Sequence, residues 1–196
     1  MSEFHRAARD GDRTALAFFI KDLGGGRIDE TRAANGVQLF HYVCCWSAPD
    51  VVAWMLDAYK PNLELRELSY GETPLFWCRG SHPGALIKAR LLLNAGAQID
   101  AIRSGGNTPL SDGFTYCDYE WCGFLLERGA PFPRPEEIPL TSMREFVARY
   151  TRRERRCRKA AMALLAVGGR AGTLSRDLAG VFARALWRTR RREGWE

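Results

Sequence analysis

A segment of about 33 residues occurs twice in the middle of the chain, and this repetition limits the possible folds more than any other feature. The first copy begins GETPLFWC at Gly71 and continues to LLLNAGAQID from Leu91. The second begins GNTPLSDG at Gly106 and continues to FLLERGAPF from Phe124. The GxTPL segments are 35 residues apart and the LLxxGA segments 33 residues apart. A fixed period of this length indicates a repeat protein, in which each unit packs on its neighbours.

Each copy predicts two helices and a turn. In TPL, the threonine is expected to cap the first helix, and the proline to occupy its first turn, where a missing N–H costs nothing. The glycine of LLxxGA is expected to end the second helix with left-handed backbone. The stretch RSGGNT from Arg103 predicts a turn between units. Because one helix pair cannot cover its own apolar face, the units are predicted to stack in one direction.

The GxTPL and LLxxGA segments closely resemble the consensus of the ankyrin repeat, which has the same period. Two weaker copies fit the same register upstream: FHRAARDGDRTALAFFI from Phe4 and GVQLFHYVCCWSAPDVVAWMLDAY from Gly36. In the second of these, Gln38 and Leu39 replace Thr-Pro, so that helix should be less firmly capped. The resemblance implies an all-α fold, an ankyrin-repeat solenoid of about four helix-hairpin units. The units lie near residues 3–31, 33–65, 68–100 and 103–132, within a repeat domain over 1–132.

Two units depart from the ankyrin pattern. The third carries two extra residues between Arg79 and Leu86, which we place in a loop between its two helices. The fourth has Gly113 in its first helix and Gly123 in its second. A glycine inside a helix costs about 1 kcal/mol relative to alanine, so we expect the fourth unit to be distorted or supported by the C-terminal segment.

A proline-rich linker over residues 133–140 precedes a strongly basic C-terminal segment. Residues 1–140 contain 14 Lys/Arg and 18 Asp/Glu, whereas residues 141–196 contain 15 and 5. Apolar residues at helical spacing predict one helix up to Gly168-Gly169 and a second after Ser175. We expect residues 141–196 to form a basic helical hairpin that caps the open end of the stack.

The composition and the N-terminus suggest where the protein resides. With 46% hydrophobic residues the chain can form a core, and it has no apolar run of eighteen residues that would predict a membrane span. The polar N-terminus, MSEFHRAARDGD, argues against a secretory signal. We therefore expect an intracellular protein, in the cytoplasm or, through its basic tail, in the nucleus.

The tail adds a second resemblance. Its RRCRKAAMALLAV segment and its closing WRTRRREGW look like the end of many ankyrin proteins of large DNA viruses that infect amoebae. This resemblance implies a viral interaction protein, located in the host cell or in the virion.

The sequence predicts neither a catalytic site nor a cofactor. The six cysteines include no CxxC pair and no histidine at ligand spacing, so buried reduced thiols are favoured over a zinc site. His5 and His41 fall at the ankyrin histidine position, and the resemblance implies that these rings hydrogen-bond backbone between repeats. GxSxG, HExxH, Walker and GxGxxG motifs are all absent. We expect a protein that is not an enzyme and has no metal.

The ankyrin resemblance implies that another protein binds the concave side of the stack, which is formed by the turn tips and the first helices. Aromatic residues are frequent at these positions, and aromatic anchors dominate binding hot spots. The alternative for each aromatic residue is a core position between repeats. The leading hypothesis is therefore an adaptor with an unidentified partner. Carried over by position, the partner-binding residues are Tyr42, Trp46, Tyr70, Glu72, Trp77, Arg103, Asn107 and Tyr116.

The arginine-rich tail supports an alternative function, that of a nucleic-acid-associated or virion-packaged protein. A basic cluster of this kind is an electrostatic footprint for nucleic acid or an acidic protein. It is also typical of a solvated helix face or a nuclear localisation signal. Base-specific recognition is not predicted, because no DNA-reading motif is present. The residues of the basic surface are Arg152, Arg153, Arg155, Arg156, Arg158, Lys159, Arg188, Arg190, Arg191 and Arg192.

Overall fold

A computed structural model describes residues 3–33, 36–80, 84–133, 138 and 141–167. The described residues are mostly helical and contain no β-strand, apart from an isolated antiparallel bridge between Arg32 and Gln38. The predicted all-α class is therefore confirmed. The second tail helix, predicted after Ser175, lies outside the described residues.

The chain divides into two compact units, Met1–Pro131 and Phe132–Glu196. In the first unit, each of the four predicted repeat ranges contains two helices. Helix α1 packs on α3 and α3 packs on α5, while α4 packs on α6. A short 3-10 helix, Ile28–Glu30, follows α2. The eight helices are α1 (Glu3–Asp10), α2 (Arg13–Leu23), α3 (Leu39–Trp46), α4 (Pro49–Tyr59), α5 (Pro74–Trp77), α6 (Ala85–Asn94), α7 (Pro109–Thr115) and α8 (Tyr119–Glu127).

The predicted threonine cap forms at α7 but not at α5. The Ser111 amide donates to Thr108 Oγ1 at 3.2 Å, and Ser111 Oγ accepts from the Thr108 amide at 2.8 Å. At α5 the equivalent donor, the Phe76 amide, bonds instead to the main-chain carbonyl of Thr73 at 3.0 Å. Thr73 Oγ1 therefore makes no cap, and the prediction is wrong there. The weak start predicted at Gln38 is confirmed, since its side chain makes no cap hydrogen bond.

Two glycines end the second helices of the third and fourth repeat ranges as predicted. Gly96 follows α6 with φ of 103°, and Gly129 follows α8 with φ of 96°. This left-handed backbone strains residues that carry a side chain, so it favours glycine.

Gly113 has a packing role that its position in α7 did not suggest. A Cβ there would lie 2.7 Å from Cys122 Sγ and 2.8 Å from Trp121 Cδ1. Trp121 is fully buried, and its Nε1 donates to the Pro109 carbonyl at 2.9 Å. The absent side chain at Gly113 lets α7 approach α8 closely, which offsets the helix-propensity cost of the glycine.

The described part of the second unit contains one long helix, α9 (Thr141–Val167). The helix end predicted at Gly168-Gly169 lies outside the described residues. Arg144 Nε donates to the Ile138 carbonyl at 2.8 Å, just ahead of the helix. Among the described residues, no helix combines the length and the apolar character needed to cross a membrane.

Candidate partner-binding surface

The turn before α5 and the turn before α7 lie side by side. In the second turn, the Arg103 amide donates to the Asn107 carbonyl at 2.9 Å. The Ser104 amide donates to the Tyr70 carbonyl of the first turn at 2.8 Å, which joins the two turns directly. We call these two turns, together with the exposed sides of α3, α5 and α7, the first-helix face.

A buried carboxylate, Glu67, organises the turn before α5. It accepts hydrogen bonds from the amides of Ser69 at 2.5 Å, Tyr70 and Glu72 at 3.4 Å. Burial disfavours the charged form, but the amide donors outweigh it and hold the pKa of Glu67 below its ordinary value. The charged carboxylate thereby fixes the turn that carries Tyr70.

The His41 ring connects α3 to the next repeat range. Its Nε2 lies 3.1 Å from the main-chain oxygen of Glu72. Because a carbonyl can only accept, Nε2 carries the proton and donates it. Burial lowers the pKa of His41 to about 4, so the ring is neutral at pH 7. This is the contact with backbone of the next repeat that the sequence led us to expect for His41.

Tyr42 is a core residue, which corrects its assignment to the partner-binding set. Its ring stacks on Phe4 with centroids 6.5 Å apart and meets the Trp77 ring edge-on at 5.9 Å. These contacts leave Tyr42 buried between α1, α3 and α5. It was misassigned because a tyrosine on a first helix can point to the groove or to the neighbouring helix, and sequence spacing does not separate the two.

The two tryptophans predicted to bind a partner are half-buried. The Trp46 ring lies 4.4 Å from the His5 ring, and the Trp77 ring lies 5.6 Å from the His41 ring. Each therefore contributes to packing between first helices and also keeps part of its surface exposed. Their partial burial fits a packing role, and their exposed part remains open to a partner, which are the two interpretations that the sequence left open.

Two other predicted residues are exposed on the surface. Tyr70 is 61% exposed at the turn before α5, and Tyr116 is 62% exposed at the end of α7. Asn107 is half-buried in the second turn, where its carbonyl closes the turn. Large apolar rings with this exposure offer contact area that folding alone does not use.

Arg103 and Glu72, both predicted to bind a partner, are partly committed to each other. Arg103 Nη2 lies 3.1 Å from a carboxylate oxygen of buried Asp112, and its Nε lies 3.8 Å from Glu72. Burial opposes the charge on Arg103, but Asp112 outweighs it and raises the pKa of Arg103. Burial also raises the pKa of Glu72, against the attraction of Arg103. The positive charge of Arg103 is therefore already paired with the carboxylates of Asp112 and Glu72.

The structure adds Arg79, which sequence reasoning missed. Its guanidinium carbon lies 3.9 Å from the centroid of the Tyr116 ring, a close cation–π contact between neighbouring repeat ranges. Arg79 is half-buried, and its guanidinium forms no hydrogen bond or ion pair with a described residue. A basic residue two positions after Trp77 was the available signal.

A buried lysine ties α6 to α3. Lys88 is fully buried, and its Nζ donates to the Cys45 carbonyl at 2.8 Å. This carbonyl belongs to the last turn of α3, where a cation also interacts favourably with the helix dipole. Burial lowers the pKa of Lys88. The contact stabilises packing between the two repeat ranges.

In the described ranges, Cys44, Cys45, Cys78, Cys117 and Cys122 are free thiols, and burial keeps at least two of them protonated. Burial raises the pKa of Cys45 to about 11 and that of Cys122 to about 12. Both groups are therefore protonated at neutral pH, and a thiol is a far weaker nucleophile and metal ligand than a thiolate. Within these ranges no three His, Cys, Asp or Glu side chains are grouped to hold a metal ion.

Helix α9 carries the described part of the predicted basic surface. Arg158 lies in the helix, but its side chain is outside the described part, as are Arg188, Arg190, Arg191 and Arg192 entirely. At 3.6 residues per turn, the exposed cations cover the side of α9 opposite Met143 and Val147, which are buried. The exposed residues of the predicted set are Arg152, Arg153, Arg155, Arg156 and Lys159.

Comparison with known proteins adds no family. No protein-family model matches the chain, and no curated protein matches it. The ankyrin resemblance is carried by the GxTPL and LLxxGA segments of this chain.

Proposed function

We propose that this chain is an ankyrin-repeat adaptor that binds a partner protein through the first-helix face and catalyses no reaction. Hydrogen bonds that recur at nearly constant sequence spacing support the repeat stack. The Asn62 amide donates to Asp29, 33 residues earlier, and the Gln98 amide donates to Glu64, 34 residues earlier. Arg128 donates to Asn94, again 34 residues earlier. The first two bonds join a main-chain amide to a carboxylate one period earlier, and such matching contacts are what stacked equivalent units produce.

One observation carries the proposed binding role: the first-helix face presents the exposed rings of Tyr70 and Tyr116 beside half-buried Trp46 and Trp77. Rigid aromatic side chains lose little conformational entropy when they become buried in a complex. Partner contacts of this kind concentrate in a few aromatic and arginine anchors. A partner in the cytoplasm or nucleus of the host cell fits the proposed viral origin.

Selection of binding peptides tests this function. A displayed library of random peptides is selected on the full chain, and the affinities of the enriched peptides are then measured. We expect Trp46→Ser and Trp77→Ser to weaken binding about tenfold or more, because truncated anchors cost more than 1 kcal/mol. Phe18→Ser is the matched control, since this exposed aromatic residue lies on α2, away from the face.

Because both tryptophans also pack on histidine rings, each variant is checked by urea unfolding. Tyr70→Ser provides a second test that does not depend on packing, since this ring is 61% exposed. Selected peptides that bind the Trp46, Trp77 and Tyr70 variants as tightly as the unchanged chain would reject the proposal.

A second candidate function is binding of nucleic acid through α9. Its range contains eight Arg/Lys and two Glu residues. Arg152, Arg155 and Arg156 are exposed within about a third of the helix circumference. A row of guanidinium groups attracts phosphates without reading bases, and the cations release condensed counterions on binding.

A further inference from the structure

We infer that the partner of the first-helix face contributes an aspartate or glutamate, whose carboxylate binds the guanidinium of Arg79 beside Tyr116. This inference rests on the proposed function and names the chemistry of the partner. Arg79 follows α5 and Tyr116 follows α7, so the pair lies between the third and fourth repeat ranges. It is placed beside the aromatic residues that the proposed function uses.

Arg79 forms no ion pair with the described charged groups near it. Arg103, the other arginine near Tyr116, is already balanced by Asp112 at 3.1 Å and Glu72 at 3.8 Å. Burial raises the pKa of Glu72, and the nearby charge of Arg79 opposes that rise, but the two side chains form no ion pair. Arg79 therefore carries a positive charge on the described part of the face that no ion pair neutralises.

The geometry prepares Arg79 for a planar anion. Stacking at 3.9 Å on the Tyr116 ring restricts the guanidinium, so less side-chain entropy is lost when a ligand binds. Its Nε is buried without a hydrogen-bond partner among the described residues, so a partner would have to bind through the terminal Nη atoms. A guanidinium fork matches a carboxylate with two parallel hydrogen bonds, and a stacked arginine can still offer that edge.

A single carboxylate fits this site better than a polyanion. Residues 1–140 carry 14 Lys/Arg and 18 Asp/Glu, so a chain of phosphates would be repelled by the rest of the domain. One aspartate or glutamate in an otherwise apolar peptide matches one cation among exposed aromatic rings. An acidic residue within an apolar segment is therefore the recognition element that we assign to the partner.

The test uses the peptides selected on the full chain. We expect the enriched sequences to share an aspartate or glutamate at a fixed position. Replacing that residue by glutamine should weaken binding to the unchanged chain at least about tenfold. Arg79→Met should cause a similar loss, while Arg90→Met, which removes an exposed arginine from α6, should cause none.

The decisive readout is the coupling between the two changes. If Arg79 binds the carboxylate, the glutamine peptide should lose little further affinity on the Arg79→Met chain. Arg79→Lys keeps the charge but loses the planar fork, and Tyr116→Leu removes the stacked ring. Both substitutions should reduce the affinity for the acidic peptide several-fold, and they serve as the test if the Arg79→Met variant does not fold.

The inference would be overturned if the peptide substitution and Arg79→Met each reduced the affinity independently, or if the selected peptides shared no acidic residue. If the selected peptides nevertheless bind the Tyr70→Ser chain more weakly than the unchanged chain, the proposed function stands and the carboxylate site alone is rejected. If no substitution on the face changes the affinity of the selected peptides, both the proposed function and the carboxylate site are rejected. A phosphoserine peptide that binds Arg79 more tightly than its glutamate counterpart would assign the site to phosphate instead.

Discussion

At the scale of single residues, the same side chains build the fold and present the surface. His41 is the clearest structural case, because its Nε2 donates to the Glu72 carbonyl and its pKa lies near 4. Its role could be predicted from its position in the repeat. The burial of Tyr42 could not, because the direction of a ring depends on which neighbouring helix it meets. Arg79 was missed since its role depends on Tyr116, 37 residues later in the chain.

The pH dependence of stability tests the role of His41. Folding depresses its pKa from 6.5 to about 4, so folding favours the neutral ring. The free energy of unfolding should be highest above pH 6.5 and should fall as the pH drops from 6.5 towards 4. Glu67, whose pKa is also lowered by folding, adds a further loss below pH 4.5. Urea unfolding at a series of pH values measures both.

His41→Gln separates the two contributions. Glutamine keeps an amide donor near the position of Nε2 but does not titrate. The variant should therefore be less stable at pH 7 and should lose much of the slope between pH 6.5 and pH 4. An unchanged slope in this window would show that another group controls it.

At the scale of elements, the sequence predicted the number and order of helices in the described part of residues 3–132 better than their ends. TPL placed proline at the first position of both α5 and α7. It could not predict that α5 would be a single turn of four residues in which the Phe76 amide bonds the Thr73 carbonyl. The glycines after α6 and α8 were predictable, because a left-handed residue is a local requirement. The close packing at Gly113 was not predictable, because it depends on Trp121 of another helix.

Helix α9 makes a separate prediction about nucleic acid. If it binds phosphates, the affinity of the full chain for a 25-base-pair DNA duplex should fall steeply as salt is raised. Arg152, Arg155 and Arg156 replaced together by Gln should reduce the slope of log K against log salt by about 0.9 per lost contact.

The matched control for α9 replaces Lys21, Arg6 and Arg90 by Gln, which removes three exposed cations from the first unit. This variant should keep the salt slope of the unchanged chain. Equal effects of the two triple substitutions would indicate attraction by overall net charge instead of a site on α9. The measurement is fluorescence anisotropy of the labelled duplex at several salt concentrations.

At the scale of the whole molecule, the net charge changes sign along the chain. The repeats carry the excess of acidic residues, and the C-terminal segment carries the excess of basic ones. Period, composition and charge were sufficient to predict the helical class and the position of this change. They were not sufficient to separate surface from core on the first helices, because that depends on contacts between units about 33 residues apart.

Site-specific photo-crosslinking tests the central claim, that a partner protein binds the first-helix face. A benzophenone amino acid replaces Tyr70, Tyr116 or, as the control on α2, Phe18, all of which are well exposed. Each full-length variant is irradiated with a peptide selected on the unchanged chain. We predict covalent adducts from positions 70 and 116 and none from position 18. Adducts from position 18 alone, or equally from all three, would contradict the claim.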